Sequence, residues 1–104
     1  MNNKKIVELG IEIYRLVKKL PPEEEHALTE MLMRATGDIA ANIAMSENFL
    51  SEERTQFLST ARGKIAVLET LLQICVAVKY FEETETATAL NMCAELDGTI
   101  GRQK

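Results

Sequence analysis

Apolar residues recur along this chain in steps of three and four, and breaks cut the pattern into four segments. Ile6, Leu9, Ile13, Leu16 and Leu20 form the first row. Such spacing places side chains on one face of a helix and commits that face to burial. Pro21-Pro22 ends the row, because proline disfavours helix at the residue before it and has no amide hydrogen. The first helix is therefore expected over residues 3–20, capped by Asn2 or Asn3. The second is expected from Pro22, with Glu23, Glu24 and Glu25 at the positive end of its dipole. Its row Leu28, Leu32, Ala35, Ile39 carries it to about Ser46. Ser51 is the expected N-cap of the third helix, over residues 52–80, with Leu58, Ala61, Ile65, Leu68, Leu72 and Cys75 as its seam. Residues 83–100 make the fourth, with the row Ala89, Cys93, Leu96, Ile100. Gly98 and Gly101 are expected at its end and Arg102-Gln103-Lys104 as a frayed tail. Short connections make consecutive helices antiparallel, so the expected fold is all-α: a single domain over residues 1–104, an up-down-up-down four-helix bundle.

Two places depart from a simple core pattern. Continuing the second row by three from Ile39 lands on Asn42. An amide on an apolar seam costs stability unless it is hydrogen-bonded, so Asn42 either sets helix register or organises a site. Gly37 in the same helix costs about 1 kcal/mol relative to alanine, which suggests a second backbone packed close by. The third helix carries a second apolar row about 100° from the first: Val67, Leu71, Ile74, Val78 and Phe81. That arc is wider than a bundle core uses, and a subunit interface is the favoured cover over burial inside the monomer.

Composition narrows the function. Of 104 residues, 46% are hydrophobic, yet the longest strongly apolar run, residues 71–78, is far too short to cross a bilayer. The first residues mix acids with helical periodicity, unlike a signal peptide, and the cytoplasm is the expected location. Cys75 and Cys93 sit inside apolar rows and are expected as reduced core thiols. The single histidine, in Glu23-x-x-His26, makes at most half of a bundle di-metal site, so no metal or other cofactor is expected. With that histidine remote from both cysteines, no nucleophile has a base, and no enzymatic activity is expected. Met31, Met33 and Met45 fit gap filling in a core or interface. The net charge of −4 is uneven: residues 1–20 carry +3 and the remainder −7. Lys4, Lys5, Arg15, Lys18 and Lys19 are the candidate contacts for nucleic acid, but a uniformly basic binder would not have this balance.

The stretch Arg34, Ala35, Ile39, Asn42, Ile43, Ala44 resembles a bacterial four-helix family first noticed as proteins encoded by intervening sequences in 23S ribosomal RNA genes. That family shows Arg-Ala-Ala-x-Ser-Ile-Pro-x-Asn-Ile-Ala-Glu-Gly there. A second stretch, Ala-x-Gly-Ser-Leu-x-Glu-Leu-Glu-Thr, is similar to Ala61, Gly63, Leu68, Glu69 and Thr70. Asp38 replaces the family serine in the first stretch and Lys64 in the second, a pairing that suggests a compensating ion pair. Ala40 stands for the proline, Val67 for the first glutamate of the second stretch, and Met45-Ser46 for Glu-Gly. Glu69 is expected against a basic side chain such as Arg34 or Arg62, in solvent, or hydrogen-bonded to Asn42.

The resemblance implies a homo-oligomer, a pentamer, without catalytic activity. Through the accessory variability determinant of diversity-generating retroelements it also implies RNA and a reverse transcriptase as partners. The leading expectation is a non-enzymatic assembly or interaction module; the alternative is a nucleic-acid-binding accessory protein using the basic first helix and the C-terminal tail.

Overall fold

The computed structural model describes residues 3–103. Four helices run through them: α1 (Lys4–Val17), α2 (Leu28–Ser46), α3 (Ser51–Ala77) and α4 (Glu83–Gln103), with a 3-10 turn at Pro22–Glu24 between the first two. They form an all-helical four-helix bundle. Each helix packs on two neighbours: α1 on α2 and α4, α3 on α2 and α4, with α2–α3 the most extensive pair. α1 and α3 are therefore diagonal. Side-chain bridges set the antiparallel register, since Lys5 bonds Glu95 while Lys19 meets Glu85 at 3.6 Å. At 27 residues, α3 is about 40 Å long and accounts for most of the 43 Å long dimension.

The four expected rows are the core. Ile6, Leu9, Ile13, Leu16 and Leu20 are buried with Leu32, Ala35 and Ile39, the whole α3 seam, and Ala89, Cys93, Leu96 and Ile100. Leu28 packs partly buried at its edge. Both cysteines lie in this core as free thiols.

Two expectations about α2 are corrected. The α2 row continues from Ile39 by a step of four to Ile43, which is fully buried, not by three to Asn42. Asn42 is half-buried beside the seam, and its Nδ2 donates to the Asp38 carbonyl of its own helix at 2.8 Å. Both steps suit a 3.6-residue repeat; burying the larger aliphatic group, worth about 1.5–3 kcal/mol, decides the rotation. Gly37 faces open space: a methyl group there would meet nothing within 4 Å. No close backbone approach explains it.

The ends differ as well. α1 stops at Val17, and α2 begins at Leu28 because the prolines and glutamates form a separate 3-10 turn. That turn is tied to the end of α3 through the turn that follows it, where the Tyr80 hydroxyl donates to Glu24 at 2.7 Å. Asn3 occupies the N-cap position of α1 without a side-chain cap bond, whereas Asn2 lies outside the described residues. Ser51 is the first residue of α3 at φ 60°, not its cap. α3 ends three residues early in a Schellman turn: Tyr80 N–H donates to the Cys75 carbonyl at 2.9 Å and Lys79 N–H to Val76 at 3.0 Å, with Lys79 at φ 72°. α4 runs through Gly98 and Gly101 to Gln103, so Arg102 and Gln103 are helical, and Lys104 lies outside the described residues. Arg54 holds that end by donating to Gln103 at 2.8 Å.

Candidate functional site

The basic residues of the first helix do not form an open cationic surface. Arg15 makes a two-pronged bond to Glu12 at 2.6 and 3.1 Å, one helical turn away. Lys5 is bonded to Glu95 on α4, which holds that carboxyl below its ordinary value. Lys19 pairs with Glu85, and the Lys18 ammonium sits 4.7 Å from the centre of the Tyr14 ring. Lys4 shares the α1 surface with them.

The two motif stretches meet across the α2–α3 seam. Lys64 Nζ lies 3.6 Å from Asp38 Oδ2, as the paired substitutions suggested. The pair borders a shallow depression of about 160 Å³ that also includes Met31, Arg34, Val67 and Leu71. Arg34 bonds Glu30 on its own helix. Ile39, Ile43 and Leu68 lie in the core, while Gly63 is exposed with room for a methyl group.

Glu69 meets neither expected arginine nor Asn42. Arg62 donates instead to Asp97 on α4 through Nε at 2.8 Å and Nη2 at 3.1 Å, which lowers the Asp97 carboxyl. Sequence reading named Arg62 but missed Asp97, whose helix neighbours gave no sign of the match. Glu69 remains half-buried, and among the described residues it has no hydrogen bond or ion pair. Burial, and then the nearby Asp97 charge, push its carboxyl up. Burial, followed by Glu69, pushes the Cys93 thiol up to about 12, and burial raises Cys75 too. Neither thiol is a thiolate at neutral pH, so neither is poised as a nucleophile. His26 is exposed in the turn before α2, 3.8 Å from Glu25 and 4.0 Å from Glu30.

The second α3 row splits. Leu71 and Phe81 are buried within the monomer, whereas Val67, Ile74 and Val78 stay exposed at 45%, 41% and 51%. Met31, Met33 and Met45 are exposed as well. A third apolar row was missed: Val7, Ile11 and Tyr14 on α1, more than half exposed. Its steps of four and three were readable beside the stronger core row. Between the C-terminal half of α3 and the N-terminal half of α4 runs an open groove of about 750 Å³, lined by Val76, Ala77, Ala87 and Leu90 with Gln73 and Asn91. No described helix is long and apolar enough to cross a membrane.

Residues 3–102 match the family described as 23S rRNA-intervening sequence protein, and the chain belongs to that family. Its fold is shared with a crystal structure of a protein of unknown function from the S23 ribosomal protein family of Bacteroides thetaiotaomicron. That protein is 21% identical, with a TM-score of 0.84 over 94% of this chain and 93% of the other. No curated protein matches the chain.

Proposed function

We propose that this member of the 23S rRNA-intervening sequence protein family is a non-enzymatic assembly module that forms a homo-oligomer. The observation that carries this reading is the ordered exposure of apolar side chains on two diagonal helices. Val7, Ile11 and Tyr14 form a row on α1; Val67, Ile74 and Val78 form one on α3. Scattered single apolar residues are ordinary on a surface, but rows at helical spacing are what helix–helix association uses. Catalysis has no support in the arrangement: the thiols are buried and protonated, and the histidine stands in a remote exposed turn. Five subunits is the expected count, on the family resemblance.

The test is mass in solution. Light scattering across a range of concentrations is expected to give a discrete multiple of the 11.6 kDa chain. A single-chain mass at every concentration would sink the reading. The nucleic-acid alternative draws less support, because Lys5, Arg15 and Lys19 already face carboxylates on the same chain. A steep loss of RNA affinity with salt would restore it. A reverse transcriptase partner rests on the family resemblance alone.

A further inference from the structure

Building on the assembly reading, we infer how the copies join: the outer row of α1 in one copy lies in the α3/α4 groove of the next. Lys4, Val7, Ile11, Tyr14 and Lys18 follow one another in steps of three, four, three and four. They form one stripe about 21 Å long, with three exposed apolar side chains in the middle and an ammonium at each end. The groove is its counterpart. Val76, Ala77, Ala87 and Leu90 make an apolar floor with two alanines, which lets a helix approach closely. Acids stand at both ends of it: Glu82 and Glu83 where α4 begins, and Glu69 one turn before Gln73 on α3. Glu69 is the half-buried carboxylate left without a partner among the described residues, and a facing ammonium would offset the burial that raises it.

Charge selects this pairing over the alternatives. Two α1 stripes laid together would bring lysines against lysines, whereas stripe on groove brings lysines against glutamates. The segment bearing α1 carries +3 and the rest of the chain −7, so the two surfaces also attract over a longer range. Because α1 is diagonal to α3, one copy cannot satisfy its own groove. The contact is therefore heterologous, and repeating it produces a ring where its rotation closes.

Paired cysteines test the geometry. A chain carrying both Ile11→Cys and Ala87→Cys, oxidised under native conditions, is expected to give a ladder of covalent multimers up to the full assembly, with each single variant uncrosslinked. Cys75 and Cys93 are fully buried and stay out of the exchange. A covalent dimer from Ile11→Cys alone would identify an α1–α1 contact and overturn the pairing. So would the absence of a ladder in a double variant that light scattering still finds oligomeric, and in that outcome the assembly reading survives. A monomeric wild type fails both. Independently, Glu83→Lys is expected to raise the concentration for half-assembly about tenfold. Adding Lys4→Glu or Lys18→Glu should recover it, the one that does so giving the direction in which α1 lies. Recovery by neither overturns the pairing.

Discussion

The two sides of α3 differ in how completely they are closed. Toward α2, large aliphatic side chains meet along most of the helix: Leu32, Ile39 and Ile43 from one, Ile65, Leu68 and Leu72 from the other. Toward α4 the contact is uneven. Leu96 and Ile100 fill the C-terminal half of α4, where Arg62 also clamps Asp97. In its N-terminal half α4 buries only Thr86 and Ala89, and there the groove opens. The volume of the buried side chains sets how far two helices close, because interiors pack without large voids. An incompletely closed seam is thus written in small residues, and it leaves apolar surface for another chain.

The comparison breaks most readily at its two floors. Leu72→Ala on the closed side is expected to cost about 2–5 kcal/mol, because the cavity cannot collapse. Leu90→Ala, at the groove, should cost less than half of that. Chemical denaturation of the two variants checks the difference, and equal losses would mean the groove is as well packed as the core. Two backbone changes come next, both stabilising. Gly37→Ala adds a methyl group into open space on an exposed helical position, and Lys79→Gly relieves a left-handed residue at φ 72°. Each is expected to gain about 0.5–1 kcal/mol, read as a raised unfolding midpoint.

The smallest expected effect is in pH dependence and separates Asp97 from Glu69. Asp97 is held low in the folded state, so its contribution is present above its unfolded value and fades as pH falls through the folded one. Glu69 is held high, so its charged form is the penalised one and protonation relieves the cost as pH falls. Glu69→Gln should therefore stabilise at neutral pH and above, with the gain vanishing below the ordinary carboxylate range. Unfolding of the isolated subunit, at a concentration too low for assembly, shows this; a gain that grows toward acid pH would contradict it.

Much of the bundle was legible in the chain because helical burial leaves a periodic trace. Every member of the α1 and α4 core rows and of the first α3 seam is buried as the spacing required, and the Asp38–Lys64 pair was readable from two matched substitutions in neighbouring stretches. Asn42 was misplaced because steps of three and four both satisfy the period, and only packing against the other helices chose Ile43. The third helix ended early because its stop is a hydrogen-bonded turn with lysine in the place glycine usually takes, which removes the usual signal.

The site was less legible. Nothing in the spacing told Leu71 and Phe81, which the monomer buries, from Val67, Ile74 and Val78, which it leaves open. The α1 row Val7, Ile11, Tyr14 was present in the chain but overshadowed by the core row on the opposite face. Arg62 finding Asp97 rather than Glu69 depends on how two helices pack, with the paired residues 35 apart in the chain.

By itself, the sequence determined the four helices, their antiparallel order and the faces they bury, since each follows from local periodicity, breakers and short connections. Tertiary structure alone decided which apolar residues stayed exposed, which charges found partners and where the seam between α3 and α4 opened. Those outcomes depend on distances between segments remote in the chain and on the volumes that meet there, and no local pattern carries that information.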